Sequence, residues 1–231
     1  MTAAPGDREL GDRDLGDRDL GDRLGRCTSA IVHDVMRAQG LRDFVLPAEL
    51  RPVLPDVSLA GPAFTVEGRP VPEARAEDTL LAWTGLLSRA PADHVWVSQP
   101  HDHLVAHMGE LSAETLKNKG VRGAVVDGGA RDVRDLQRLG FQTWCRFFTP
   151  RDVVGYWMPS AVGEDIRIGD VMIAPGDYLL GDRDGLVRIP QRLIEPVLVA
   201  AEQAMAAESQ VRMAIRAGVD PQEAFRRFGV F

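Results

Sequence analysis

Residues 109–132 read GELSAETLKNKGVRGAVVDGGARD, and their pattern decides the fold. A helix is expected from Gly109 to about Asn118, a short strand over Gly123–Val126 and a second helix from Asp132 to Leu139. Working outward, His94–Ser98 has a buried-strand pattern. It follows a helix over Thr79–Ala90 whose apolar face is Leu80, Leu81, Trp83, Leu86 and Leu87. Leu59–Glu67 suits one more strand, and Thr28–Ala38 a helix closed by Gly40. This alternation predicts an α/β domain with a largely parallel sheet. Past it the character changes. Asp165–Ile173, Tyr178–Gly181 and Gly185–Ile189 read as short strands between Gly and Pro turns. A long helical pattern then runs from Pro190 to Ala217 and stops at Gly218, and Asp220, Pro221 and Glu223 open a last short helix.

Composition bounds the function. The 231 residues carry 27 Lys+Arg against 34 Asp+Glu, a formal charge of −7, with no basic run to track a nucleic acid. No apolar stretch is long enough for a membrane span, and the N-terminus lacks a secretory h-region. Cys27 and Cys145 stand in no metal spacing and read as two reduced thiols of a cytoplasmic protein. Residues 6–25, GDRELGDRDLGDRDLGDRLG, repeat every five residues, a period that matches neither helix nor strand. Residues 1–26 are therefore expected to be a disordered tail, with a weak helix docked on a neighbouring subunit as the alternative, and residues 27–231 to form the domain. Only Lys117 and Lys119 are lysines, so lysine chemistry is confined to two neighbouring positions.

Two helix N-termini each follow a strand-like segment, at Gly109–Ser112 and at Ala130–Asp132. Ligands of α/β sheets sit there, because the first turn of a helix offers unpaired N–H groups. Gly109 allows close approach to the backbone, and the amides of Leu111 and Ser112 can hold a carboxylate. Gly128 and Gly129 give the second turn freedom to present Arg131 beside Asp132, a pair suited to metal-assisted chemistry on an oxo acid. The same spacing fits a blander reading, with Asp132 capping its own helix, Arg131 paired to a surface acid and Glu110 merely complementing a helix dipole. His103 and His107, four apart, would share a helix face and suggest zinc with His101, but no third ligand has clear spacing; solvated or capping histidines fit as well. Asp182 and Asp184 resemble a fragment of a calcium loop and also fit a tight hairpin turn, as Asp127 fits a turn.

Three stretches in order, GPAFTV at 61–66, GELSAETLKNKGVRGAVVDGGARDV at 109–133 and IRIGDVMIAPGDYLLGDRDGLVRIP at 166–190, resemble the RraA-like family. The resemblance covers about residues 28–231, and the terminal helix with Glu208, Arg212 and Arg216-Ala217-Gly218 is also similar. The repeat tail has no counterpart in it. The family includes the 4-hydroxy-4-methyl-2-oxoglutarate aldolases, whose arginine is followed by an aspartate that binds a divalent metal; ribonuclease-regulating members lack that acid. Arg131-Asp132 is similar to the aldolase branch.

The resemblance implies a three-layer β/β/α, swivelling-domain-like single domain with a long C-terminal helix, assembled as a trimer or hexamer. It implies pyruvate's carboxylate on the amides of Gly109–Ser112, Arg131 on the oxo group, Glu110 placing a water, and Asp132 on Mg2+ or Mn2+. Glu208 of a neighbouring subunit, or Glu202 in its place, would approach the metal through water. The implied reaction releases pyruvate from a 2-oxo acid, with oxaloacetate decarboxylation as a side activity. A non-catalytic interaction module, or the same scaffold acting on another oxo or sugar acid, are the other classes.

Overall fold

A computed structural model describes residues 16–229. In chain order it places α1 (16–24), α2 (Ser29–Ala38), β1 (Arg51–Pro52), β2 (Leu59–Pro70), α3 (Ala76–Arg89) and β3 (Val95–Gln99). Next come α4 (Glu110–Asn118), β4 (Gly123–Val126), β5 (Gly129–Ala130), α5 (Val133–Leu139), β6 (Thr143–Cys145) and β7 (Phe147–Phe148). The last part holds β8 (Trp157–Val162), β9 (Ile166–Ile168), β10 (Val171–Ile173), β11 (Tyr178–Gly181), β12 (Leu186–Ile189), a 3-10 turn (Gln191–Leu193), α6 (Ile194–Arg216) and α7 (Pro221–Phe228).

The main sheet runs β1-β6-β4-β3-β2-β11-β12, curled into a half-barrel. Strands β2, β3, β4 and β6 are mutually parallel, as the strand–helix alternation predicts. Long β2 carries two further partners on one edge, β11 against Leu59–Pro62 and β8 against Val66–Pro70, both antiparallel. Period-two alternation sorts the side chains of the central strands. Trp96, Ala124 and Val126 point to α3, α4 and α5, where Leu86, Leu116 and Leu136 meet them. Val95, Val97 and Val125 point the other way, under the β9–β10 hairpin with Ile166, Ile168, Val171 and Ile173. This is the expected β/β/α layering, with the hairpin as the outer β layer. A parallel sheet buried on both faces explains why these strands read as continuous apolar runs. Two of the leucines expected on the buried face of α3, Leu80 and Leu81, are instead 49% and 66% exposed, because only Thr79, Trp83, Leu86 and Leu87 reach the core.

Helices α2 and α6 cover the β11–β12 extension through Ile31, Met36, Val197 and Leu198. Asp182, in the β11–β12 turn, accepts both the amide and the hydroxyl of Ser29 at 2.7 Å, so this acid fixes the start of α2. Asp220 caps α7 through the amides of Gln222 and Glu223, as expected.

The expectation of a disordered tail is corrected for residues 16–26; residues 1–15 lie outside the described residues. Helix α1 docks on its own chain. The repeat ends in GDRLG, which places Leu24 four residues after Leu20, on the same helical face. Leu24 is fully buried in the core shared with α2 and α6. Arg122 locks the helix down, donating to Asp22 at 2.8 Å, to the Arg18 carbonyl at 2.9 Å and to the Asp93 carbonyl at 2.9 Å. A Cβ at Gly21 would stand 2.9 Å from the Arg122 guanidinium carbon, so this glycine of the repeat admits the arginine. Arg23 adds a paired contact to both carboxylate oxygens of Glu202. We expect Leu24→Ala to cost ~2–4 kcal/mol in urea unfolding; a midpoint equal to the wild type would contradict the docking.

Candidate functional site

The two turns singled out in the sequence are knitted together by backbone. The His107 amide donates to the Gly129 carbonyl at 2.8 Å, and the Arg131 amide to the Met108 carbonyl at 2.9 Å. This short ladder sets Gly109, which precedes α4, directly against Arg131 and Asp132. A Cβ on Gly109 would lie 2.8 Å from the Asp132 carboxylate and 3.0 Å from Arg131 Cγ. Gly109 has extended backbone, so close approach and not conformation requires the glycine.

Asp132 does not cap the helix it precedes. Its backbone is left-handed, at φ 54°, and its side chain makes no bond to the first turn of α5. Aspartate tolerates that conformation, and Asp43 and Asp93 adopt it too. The carboxylate instead accepts the Glu110 amide, at the start of α4, at 3.1 Å. The next two amides of that turn, those of Leu111 and Ser112, have no acceptor among the described residues. Arg131 lies 3.6 Å from Asp132 and 3.3 Å from Asp152, an acid that no motif spacing points to. Glu110 turns outward to Arg138 at 3.2 Å, and Arg138 also holds Asp135. The Ser112 hydroxyl accepts from the Trp83 indole at 2.9 Å.

These groups open on one cleft of about 380 Å³ that gathers Gly109, Glu110, Leu111, Ser112, Arg131 and Asp132. Leu80, Trp83, Leu87, Val153 and Val154 complete its wall, and sequence reasoning had no signal for Val153 and Val154. Among the described residues no group of three or more His, Cys, Asp or Glu side chains is placed to hold a metal ion. Asp132 alone nevertheless suits Mg2+, which keeps several waters and takes one or two carboxylates plus substrate oxygens. Its Oδ1 has no hydrogen-bond partner among the described residues. Glu202 is occupied by Arg23, and Glu208, 3.6 Å from Arg212, lines no part of this cleft.

The histidines part company. Residues 101–108 form no helix, so His103 and His107 do not share a helix face, and the zinc reading falls. His101 pairs with Glu67 at 2.7 Å. His107 is buried, edge-on to Trp157, with Nε2 3.1 Å from Asp102. Asp102 also accepts the Tyr156 hydroxyl and the amides of Leu104 and Val105. This network braces the loop that delivers Gly109. Asp127 lies in the bend between β4 and β5, as expected, and is buried between Gln99 and Arg146. Lys117 and Lys119 donate to the carbonyls of Leu139 and Ser88, away from the cleft. Both cysteines are free and buried, and burial pushes the Cys145 thiol up to about 12.

Burial lowers the His107 pKa from 6.5 to about 4, against the opposing pull of Asp102. Between those values the unfolded chain binds a proton that the folded one does not. Acidification from about pH 6.5 to 4 therefore removes up to ~3 kcal/mol of stability. Burial alone would raise Asp102, but its hydrogen bonds from Val105, His107 and Leu104 outweigh burial and lower it, so its own loss falls at more acid pH. Thermal unfolding between pH 7 and 5 should show this slope in the wild type and lose it in His107→Gln. An unchanged slope would contradict the assignment.

The chain is similar to proteins whose families are known. A Halalkalibacterium halodurans protein provisionally named a 4-hydroxy-4-methyl-2-oxoglutarate aldolase is 29% identical over 173 residues, 74% of this chain and 78% of that protein. A Streptomyces coelicolor structure, described as an unusual member of the RNase ES inhibitor RraA protein family, is 27% identical with a TM-score of 0.75, covering 84% and 96% of the two chains. A Pseudomonas syringae protein of 24% identity shares the fold at a TM-score of 0.81, covering 91% and 94%. Residues 29–188 match the profile of the RraA-like family, described as Aldolase/RraA. With that match over most of its length, the chain belongs to the RraA-like family.

Proposed function

We propose that this chain is a divalent-metal-dependent lyase that splits 4-hydroxy-2-oxo acids to pyruvate, with oxaloacetate decarboxylation as a side activity. One observation carries the reading. The Asp132 carboxylate is turned off its own helix into a cleft that it shares with Arg131 and the open N-terminus of α4. The names of several relatives support the same chemistry.

The free amides of Leu111 and Ser112 hold the substrate carboxylate at the positive end of α4. Arg131, kept in place by Asp152, faces the 2-oxo group and stabilises the oxyanion that develops as the C3–C4 bond breaks. The electron pair of that bond becomes the enolate of pyruvate, the 4-hydroxyl proton passes to water in the cleft, and C4 departs as a carbonyl. Glu110, steadied by Arg138, keeps a water near C3 to return a proton there. Asp132 would hold Mg2+ or Mn2+, which polarises the oxo group when bound. In a trimer or hexamer, Glu208 of a neighbouring subunit would complete the site; a monomer in solution would remove that part of the reading.

Incubation with a 4-hydroxy-2-oxo acid or oxaloacetate should release pyruvate with Mg2+ and not with EDTA. Asp132→Asn keeps an oxygen for the Glu110 amide but removes the charge, and should lower kcat/KM by ~10²-fold or more. No pyruvate from either substrate, or full activity in Asp132→Asn, would overturn the proposal.

A further inference from the structure

The cleft has a polar head and an apolar arm. The head is the α4 N-terminus with Arg131 and Asp132, and the arm runs along Leu80, Trp83, Leu87, Val153 and Val154. About 380 Å³ is on the order of ten water volumes, more than a three-carbon head fills. Three donors beside the arm are already committed. Trp83 donates its indole N–H to Ser112, while the hydroxyls of Thr84 and Thr115 donate to the carbonyls of Leu80 and Leu111 in their own helices. Arg131 is the sole cationic side chain lining the cleft among the described residues, and Asp132 and Asp152 already flank it. A second carboxylate reaching the arm would meet leucine, tryptophan and valine side chains and no cation. A hydrocarbon arm would be drawn in.

We infer that the substrate is a 4-hydroxy-2-oxo acid whose portion beyond C4 is an alkyl chain and not a second carboxylate. This rests on the lyase reading above and narrows it: the carbonyl fragment released is an aliphatic aldehyde or ketone. Each methylene seated on the arm should improve kcat/KM ~4-fold.

Two arms of one experiment separate the inference from the reaction. In the first, pyruvate release with Mg2+ is compared for 4-hydroxy-2-oxooctanoate and 4-hydroxy-4-methyl-2-oxoglutarate. We expect kcat/KM to favour the alkyl substrate at least ~10-fold, from two or more seated methylenes. Leu80→Arg, on an exposed position of α3, should shift the ratio toward the dicarboxylate. In the second arm, titration calorimetry with Mg2+ compares 2-oxooctanoate with 2-oxoglutarate, which share the head and need no turnover. Tighter binding of 2-oxooctanoate is expected. Equal or tighter binding of 2-oxoglutarate, or faster cleavage of the dicarboxylate, overturns the inference. The calorimetric preference without cleavage of either substrate would uphold the arm and overturn the lyase reading.

Discussion

The hydrogen bond from the Glu110 amide to the Asp132 carboxylate joins the two halves of the site. Everything that presents the cleft converges on it. The ladder between residues 107–108 and 129–131 brings two strand ends together, and glycine at 109 leaves room for the acid. The left-handed backbone of Asp132 turns its carboxylate away from its own helix. The same carboxylate occupies one amide of α4, so the two amides left open define where an anion can sit.

Much of the fold was legible because the central strands are buried on both faces and the helices between them keep an apolar stripe. The pattern at Gly123–Val126 matches the observed bounds, and those of β2, β3 and the helices beside them lie within a few residues at their ends, but Thr143–Cys145 and Trp157–Val162 carry no strand reading in the sequence. Leu80 and Leu81 were misjudged because apolar content marks a buried face only when every position points inward; here two leucines face outward, one of them onto the cleft. The residues around Arg131-Asp132 were found from glycine spacing and helix termini. Their partners were not. Asp152 reaches Arg131 from 21 positions on, and the Asp102–His107–Tyr156 network is made by a loop without period. Whether Asp132 caps its own helix or reaches another depends on one backbone angle that sequence does not encode visibly.

The repeat shows how a five-residue period misleads. Averaged over its units it has no helical face, and its glycines argue against a helix. The end of the repeat decides the matter, because the change from GDRDL to GDRLG creates the Leu20–Leu24 pair. That pair could have been seen. Arg122, which reads as an ordinary surface arginine, could not, since its four acceptors come together only after the sheet has formed.

The central claim is that the close approach of Gly109 to Arg131 and Asp132 creates the reactive cleft. Its most direct measurement is Mg2+-dependent pyruvate release by Gly109→Ala. Alanine suits the extended backbone there, but its methyl would press on the Asp132 carboxylate. The account predicts a fall of ~10² in kcat/KM with the urea midpoint little changed. Wild-type turnover in this variant would contradict it.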